Sequence, residues 1–462
     1  MALLLEKLNT WVWGPWLLVL FIGTGIFLTV RLRFLPWRNL GFALRQVILD
    51  VIRPGKGGEG EISPFQSLMT AMAAMMGTGN IVGVATAMVL GGPGALVWMV
   101  LSAFVGMSLS LTETVLTMKY RQKNAFGQMC GGPMYVMRDG FRPRALGRCL
   151  AALFAVFTLF ASFGMGNMTQ ANSVSEAFWD SFGIPPWLTG LLLFFLSLLV
   201  LLGGIACIGR VCGILVPVMS VAYFIATILV IVCNWKNVPD GIAQMLAMAF
   251  SPHAVAGGLG GTVIAGMGKA MRFGISRGVF SNEAGLGSAP MAAAAAKTDD
   301  GVRQSYITMT GTFFDTIVVC LATGLAIASS GLLGAVDASG ELVTGVALTN
   351  LVFETALGPV GRMVITFGIA MFAFATIIGW EYYGERALEY LCAGRDRGRG
   401  YLLAYRLFYC GCAFVGAVAS LEAVWNFSDI MNACMAVPNL ICIVGMNSEA
   451  RQLLLSGPRK RM

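Results

Sequence analysis

Long apolar stretches alternate with short polar loops along almost the whole 462-residue chain. Eleven of them are near the length that crosses the ~30 Å hydrocarbon core of a bilayer as a helix. The predicted spans lie at 11–31, 66–90, 94–118, 149–177, 187–206, 212–233, 262–290, 305–333, 360–391, 402–420 and 425–446. A weaker helix is expected at 342–357, in an outer loop. The pattern predicts an all-α polytopic membrane protein, because the short alternating segments of a β-barrel are not seen.

Composition supports a membrane protein, and charge placement supplies its orientation. The chain is 57% hydrophobic and 12% charged, with mean hydropathy +0.76, whereas soluble domains are about 25% charged. The net charge of +8 is concentrated in alternate loops, such as the one holding Lys119, Arg121 and Lys123 and the one at 395–399. This positive-inside pattern places the N-terminus outside and the C-terminus in the cytoplasm. The charge therefore reflects topology in a lipid bilayer, with no nucleic-acid partner and no obligate protein partner evident.

Cysteine and histidine give little support to a metal or redox site. Most of the 11 cysteines fall within apolar runs, without a CxxC pair or a His/Cys cluster. His253 is the only histidine and is expected on an outer loop. A histidine proton relay is therefore excluded, whereas proton coupling through an acidic side chain stays open.

Two predicted spans contain helix breakers and polar residues in the middle of apolar sequence. The second span includes MMGTGNIVGVATAM (Met75 to Met88), and the seventh includes GVFSNEAGLGSAP (Gly278 to Pro290). Unwinding a helix in lipid leaves backbone N–H and C=O groups unpaired, which costs several kcal/mol each. Such breaks are tolerated where the backbone faces a cavity, so both spans are predicted to be discontinuous helices that bind something.

The positions of the two breaks predict an internal repeat. Five crossings separate them, so the broken helices run in opposite directions, as in transporters built from inverted repeats with a central binding site. We expect an extra N-terminal helix and cytoplasmic loop at 1–60 and a first five-helix repeat at 61–235. An inverted second repeat is expected at 236–450, followed by a cytoplasmic basic tail at 451–462.

The chemistry of the breaks favours a charged small ligand. Free carbonyl oxygens suit a hard cation such as Na⁺. Free N–H groups at the N-terminus of a half-helix suit a carboxylate, and glycine allows close approach of a ligand to the backbone. A zwitterion accompanied by a cation would use all of these groups.

Several motifs resemble the alanine or glycine:cation symporter family over essentially the whole chain. They are GTGNIVGVATA (Gly77–Ala87), GGPGALVWM (Gly91–Met99), GGPMYVM (Gly131–Met137), SNEAGLGSAP (Ser281–Pro290) and WEYYGE (Trp380–Glu385). The resemblance implies a LeuT-type 5+5 fold with one extra N-terminal helix, sodium as the co-transported ion and uptake of alanine or glycine. It also implies a bacterial or archaeal cytoplasmic membrane.

The same resemblance implies two sodium sites. Asn80, with the backbone of Met75 and the Ser281 side chain, would hold one ion. Thr376 would hold a second. The ligands implied beside Thr376 are the carbonyl groups of Ala73, Met76 and Ala373.

The substrate pocket is likewise implied by the resemblance. The backbone at Thr78 and Gly79 would meet the substrate carboxylate. The expected pocket side chains are Gln170, Phe280 as an aromatic lid, Trp380, and Thr376, which shares a helix face with Trp380. The chain departs from the family pattern at Met75, Met76 and Glu381, which bear on the choice of substrate.

Acidic residues inside predicted spans are functional candidates. Glu283, beside Asn282 in the second break, would contact the substrate amine or, as we favour, pin backbone N–H groups. Asp315 would act in ion coupling or bond a helix break, and both possibilities stay open. Glu113 is expected to pair with Lys119. Lys269, Arg272 and Arg277, beside the second break, are expected to anchor carboxylates rather than to bind an anion.

The leading hypothesis is a sodium-coupled symporter of a small neutral amino acid. The alternative within transport is proton coupling, or another small substrate such as D-alanine. A channel or an intramembrane enzyme is a remote alternative. A channel would favour a symmetric pore lined by repeated motifs, and an enzyme would need a nucleophile–base pair or metal ligands at membrane depth.

Overall fold

The computed structural model describes residues 2–52, 57–250, 266–392, 400–419 and 421–456. His253, the basic 395–399 loop and the last six residues of the basic tail lie outside the described residues. In the described part, the chain is helical almost throughout. The helices are Ala2–Val12, Pro15–Arg31, Leu35–Arg38, Leu40–Ile52, Pro64–Met75, Val82–Gly91, Ala95–Tyr120, Pro133–Gly140, Arg144–Phe163, Thr169–Phe182, Pro186–Leu201, Gly204–Cys233, Val238–Phe250, Met267–Asn282, Ala289–Ala294, Gly301–Thr312, Leu321–Ser330, Gly345–Leu357, Pro359–Cys392, Gly400–Val418, Leu421–Gly445 and Asn447–Ser456.

Within the described residues, eight helices are long and apolar enough to cross a membrane: Leu5–Arg31, Ala95–Tyr120, Arg144–Phe182, Gly204–Cys233, Gly301–Ser330, Pro359–Cys392, Gly400–Val418 and Val424–Gly445. The other three predicted spans are the two with breaks and the shorter apolar helix Pro186–Leu201. The prediction of an all-α polytopic membrane protein is confirmed. A short antiparallel strand pair, Gln122–Lys123 with Met129–Cys130, is the exception that the sequence did not indicate.

The first interrupted segment (residues 64–91) is discontinuous where predicted. Pro64–Met75 ends at the break, a 3₁₀ turn spans Thr78–Asn80, and Val82–Gly91 continues the segment. The Ser63 side chain accepts a hydrogen bond from the Gln66 N–H in a capping box, which fixes where the first half begins. Gly77 has extended backbone at φ −110° and ψ −150°, so the α-helical hydrogen-bond ladder is interrupted there.

The second interrupted segment (residues 267–294) is also discontinuous. Met267–Asn282 is followed by a non-helical stretch, and Ala289–Ala294 completes the segment. The backbone turns through positive φ values at Glu283 (55°), Gly285 (92°) and Gly287 (78°). The Ala284 N–H donates to the Asn282 side-chain oxygen at 3.0 Å, so Asn282 satisfies one of the groups that the break would leave unpaired.

Two π-helical turns lie in helices that pack beside the breaks. Gly164–Met168 joins Arg144–Phe163 to Thr169–Phe182, and Phe313–Cys320 joins Gly301–Thr312 to Leu321–Ser330. Such turns often occur at functional sites. The first packs against Pro359–Cys392, and the second contacts both the 3₁₀ turn and Met267–Asn282. The functional candidates therefore lie on or next to four irregular backbone stretches.

Candidate functional site

A polar cluster joins the two breaks to the second π-helical turn. The Asn80 side-chain amide donates to Asp315 Oδ1 at 2.7 Å and to the Asp315 carbonyl at 3.1 Å. Ser281 Oγ and Thr316 Oγ1 both donate to Asp315 Oδ2, at 2.9 and 2.7 Å. Every one of these side chains is buried. Asp315 therefore bonds both helix breaks, which fulfils one of the two roles that the sequence left open.

Buried polar groups in this cluster are left with unused bonding capacity. Asn80 Oδ1 and Thr78 Oγ1 have no hydrogen-bond partner among the described residues. Asp315 is stabilised by Asn80, Ser281 and Thr316 rather than by a cationic side chain. Because a buried carboxylate without a cation is costly, this arrangement suits a small positive ion.

The first break is closely packed by Gln170 and Thr376. The Thr78 N–H donates to Gln170 Oε1 at 3.0 Å, and the Gln170 amide donates to the Met165 carbonyl at 2.9 Å. A Cβ at Gly77 would lie 2.5 Å from Thr376 Oγ1, so only glycine permits this approach. The backbone N–H of Thr78, which the sequence predicts to face a substrate carboxylate, is thus paired with the Gln170 side chain in this structure.

The carbonyl groups predicted as sodium ligands lie in the same buried region. Thr376 Oγ1 donates to the Ala73 carbonyl at 2.9 Å, which brings those two predicted ligands together. Ala373 and Met76 are fully buried. The Met75 carbonyl accepts the Gly77 N–H at 2.9 Å, and its second lone pair remains available.

Trp380 connects the pocket wall to the second break. Its indole N–H donates to Glu283 Oε1 at 2.7 Å, and Ser288 Oγ donates to Glu283 Oε2 at 2.5 Å. Glu283 thus fixes two side chains, and our expectation that it pins backbone N–H groups is wrong. A Cβ at Gly166 would overlap the Trp380 Cβ, so the first π-helical turn leaves room for this tryptophan.

Phe280 is covered by a layer of aromatic and charged side chains. Its ring stacks on Trp425 with centroids 5.0 Å apart, and it lies beside Gly79. The Arg277 guanidinium lies over both rings and pairs with Asp429 at 2.5 Å. As predicted, Arg277 anchors a carboxylate.

A cavity of about 450 Å³ opens beyond this layer. Its lining includes Thr86 of the first interrupted segment, together with Arg277, Trp425 and Asp429. Thr78, Gln170, Thr376 and Trp380 do not line it. The cavity therefore reaches the aromatic and charged layer from one side, and the four pocket residues are enclosed beneath.

The opposite ends of the two interrupted segments are tied together. Ile62 and Ala296 form a parallel bridge, and the Lys297 N–H donates to the Ile62 carbonyl at 2.7 Å. Arg121 donates to the carbonyls of Ala294, at 3.3 Å, and Ala296, at 2.9 Å, and also to that of Thr298. This end of the molecule is closed.

Glu61 adds to the closed end. Its backbone N–H donates to the Ala295 carbonyl at 2.9 Å, and its carboxylate accepts the Met129 N–H at 2.7 Å. Burial raises the pKa of Glu61 above its ordinary value, against the lowering effect of the Met129 donor. Glu61 therefore ties the loop before the first interrupted segment to Ala295 and to Met129.

Some partners were missed or misassigned from sequence. Cys320 Sγ lies 3.3 Å from both Asn80 Nδ2 and Ser281 Oγ, and it could have been suspected from its place near Asp315. Glu113 accepts from the Asn439 amide at 2.7 Å, whereas Lys119 pairs with Glu449. The predicted Glu113–Lys119 pair is wrong, because the C-terminal helices supply both partners.

Comparison with known proteins agrees with this geometry. The solved structure of MhsT in complex with L-phenylalanine superposes with TM-score 0.58 at 15% identity, covering 86% of this chain and 93% of that one. The sodium/alanine symporter AgcS of Methanococcus maripaludis is 46% identical over 457 residues, which is 98% of this chain and 94% of AgcS. The "Probable sodium/glutamine symporter GlnT" of Bacillus subtilis is 36% identical over 438 residues, or 94% and 86% of the two chains.

Two discontinuous helices in an all-α membrane bundle that superposes on MhsT define a LeuT-type fold. The sequence matches the sodium:alanine symporter family over residues 1–456. The chain therefore belongs to the sodium:alanine symporter family, a family of secondary transporters and not of enzymes, and the resemblance noted from its motifs is confirmed.

Proposed function

We propose that this protein takes up a small neutral amino acid, alanine or glycine, together with Na⁺ by alternating access. The observation that carries the proposal is the pair of unpartnered buried oxygens, Thr78 Oγ1 and Asn80 Oδ1, beside the uncompensated Asp315 carboxylate. Oxygen atoms around a buried negative charge are the ligands that a hard cation prefers.

One sodium ion is assigned to the cluster between the breaks. Asn80 Oδ1, Ser281 Oγ and the Met75 carbonyl are its proposed ligands, and Asp315 supplies the balancing charge. Asn282 supports the site by holding the break, since its amide donates to Thr316 Oγ1 at 3.1 Å. Binding the ion replaces the missing countercharge of Asp315, which favours the bound state.

A second sodium ion is assigned to Thr376 Oγ1 with the carbonyls of Ala73, Met76 and Ala373. The 2.9 Å contact between Thr376 and Ala73 supports this assignment, because the hydroxyl can turn its lone pairs toward an ion while the carbonyl stays in place. This site would link Pro359–Cys392 to the first half of the broken helix.

The substrate is proposed to lie at the first break. The backbone at Thr78 and Gly79 would receive the carboxylate, which requires Gln170 Oε1 to give up the Thr78 N–H. Phe280, Trp380 and Thr376 would then surround the side chain. Because Trp380 is held by Glu283 and packed against Gly166, the pocket cannot widen easily, which favours a side chain of one carbon or none.

The open cavity on one side and the tied loops on the other support alternating access. We infer that the cavity faces the outside, with the N-terminus outside and the C-terminus in the cytoplasm. The two five-helix repeats at 61–235 and 236–450 would exchange the open and closed ends. Arg277–Asp429 and Phe280–Trp425 would close the outer path, and the Ile62–Ala296 bridge would open on the inner side.

Uptake of radiolabelled alanine into proteoliposomes tests the proposal. An inward sodium gradient should drive uptake that glycine and D-alanine reduce to different extents, and that leucine and glutamine leave unchanged. Uptake driven by a proton gradient without sodium would overturn sodium coupling. Sodium-driven uptake of glutamine in preference to alanine would overturn the size assignment.

A further inference from the structure

A buried charge cluster, which none of the roles above uses, lies between two neighbouring helices. Glu381, Glu385, Arg386 and Glu389 belong to Pro359–Cys392, and Arg406 belongs to Gly400–Val418. The first four residues are at most 7% exposed, and the Arg406 side chain is 17% exposed. Charges this deeply buried need a partner for every bonding group.

The arginines form ion pairs with Glu385 and Glu389. Arg386 Nη2 donates to Glu385 Oε1 at 2.5 Å, and Arg386 Nη1 lies 2.8 Å from Glu389 Oε2. Arg406 Nε donates to Glu385 Oε2 at 2.7 Å. Glu389 also accepts the Asn124 amide at 2.6 Å. Both oxygens of Glu385 are therefore occupied by guanidinium groups.

One carboxyl oxygen of Glu381 is left without a donor. Its Oε1 atom lies 3.6 Å from Arg406 Nε, and that nitrogen carries a single N–H, which points to Glu385. Glu381 Oε1 is buried with no hydrogen-bond partner among the described residues. Three carboxylates thus face two guanidinium groups, and the excess negative charge falls on Glu381.

The neighbour of Glu381 is a second carboxylate. Glu381 and Glu385 are four residues apart and share a helix face, close enough for a hydrogen bond between their side chains. Two buried carboxylates that lie one helical turn apart on the same face repel each other strongly when both are ionised. One proton would remove the excess charge and provide the O–H donor that the geometry lacks. Across the described residues, no group of three or more His, Cys, Asp or Glu side chains is arranged to hold a metal ion.

The other charged and titratable groups around Glu381 and Glu385 belong to Pro359–Cys392 and Gly400–Val418. None of them supplies a positive charge to Glu381 besides Arg386 and Arg406. Those facing Glu381 are Glu385, Arg386, Tyr405, Arg406, Tyr409 and Cys410, and those facing Glu385 also include Glu389 and Tyr401. The Tyr405 hydroxyl is paired with Ser162 Oγ at 3.2 Å.

We propose that Glu381 and Glu385 form a proton-binding pair that holds one shared proton, and that loss of this proton slows transport. Deprotonation sets two negative charges against Arg406 and pushes Glu381 away from Glu385. Since Trp380 precedes Glu381 in the same helix, this displacement reaches the wall of the proposed substrate pocket. The effect on transport rests on the proposed function, whereas the proton site does not.

Infrared difference spectroscopy of the purified protein tests the proton site without any substrate. A protonated buried carboxyl has a carbonyl stretching band distinct from the bands of carboxylates. The wild type should show this band, and raising the pH should remove it. The E381Q variant, which keeps the shape and gives Glu385 an N–H donor, should lack it. E449Q, at a partly exposed carboxylate paired with Lys119, is the matched control and should retain it.

Sodium-driven uptake, measured against pH, tests the second half of the proposal. Wild-type and E449Q rates should fall as the pH rises through the range in which the band disappears, and the E381Q rate should stay at its low-pH value. Absence of a Glu381-dependent band overturns the proton site. If the band is present but the uptake rate of E381Q falls at alkaline pH as the wild-type rate does, the claim that this proton controls transport is overturned. If alanine is not transported at all, the infrared result still decides the proton site.

Discussion

The Asn80 side-chain amide lies 2.7 Å from Asp315 Oδ1 and so joins the first helix break to a buried carboxylate 235 positions away in the chain. The amide nitrogen faces Asp315 in this contact, and the Asn80 carbonyl oxygen has no hydrogen-bond partner among the described residues. The amide thus serves two purposes, since its nitrogen holds the carboxylate and its oxygen is free for an ion.

Substitution at this contact should weaken sodium binding more than substrate binding. Asn80→Ala removes one proposed ligand and should raise the half-saturating sodium concentration about tenfold, or about 1.4 kcal/mol. Asp315→Asn removes the balancing charge and should have a larger effect. Sodium activation curves at saturating alanine measure both variants. Unchanged sodium dependence in Asn80→Ala would remove this residue from the ion site.

Gly166 should be intolerant of a side chain because of Trp380. Gly166→Ala places a methyl group against the Trp380 Cβ, and overpacking of this kind costs about 1–3 kcal/mol. We expect alanine uptake to fall by more than about tenfold. Gly411→Ala, in a helix with nothing within 4 Å of the new Cβ, is the matched control. Equal activity in the two variants would contradict the tight pocket wall.

The Trp380–Glu283 hydrogen bond should contribute to stability as well as to selectivity. Trp380→Phe keeps most of the ring but leaves Glu283 Oε1 without its donor, at a cost of about 1–3 kcal/mol. Thermal unfolding in detergent should show a lower midpoint than in the exposed control Trp187→Phe. Adding Glu283→Gln to Trp380→Phe should cost less than the sum of the single changes. Strict additivity would show that the two side chains do not act together.

Arg121 should hold the closed end of the molecule shut. Arg121→Ala removes donors from the carbonyls of Ala294 and Ala296 and should shift the protein toward the state in which the cavity is closed. Thiol labelling of Thr86→Cys, with the exposed Cys149 and Cys233 replaced by serine, should then slow several-fold. Lys123→Ala, which breaks only an exposed pair with Glu59, should label at the original rate. Faster labelling in Arg121→Ala would contradict this role.

Much of the fold could be predicted from local sequence. The length and apolarity of the spans predicted the membrane bundle, and Gly77, Gly79 and the Gly-rich stretch after Glu283 predicted both breaks at the right residues. The π-helical turns were not predicted, because Gly164–Met168 and Phe313–Cys320 carry no local signal that separates them from α-helix. Packing against the breaks, rather than propensity, selects this form.

The sequence by itself determined the class, the two breaks and the residues that surround them, because hydrophobic length and helix breakers act over a few turns of chain. Only the tertiary structure decided which polar groups pair. It joined Asp315 to Asn80 and Ser281 and assigned Lys119 to Glu449 instead of Glu113. It also left Glu381 Oε1 without a donor beside Arg406. These pairings depend on how helices that are far apart in sequence pack together. In the buried interior each donor has several acceptors within reach, and the local sequence pattern does not specify which acceptor it bonds.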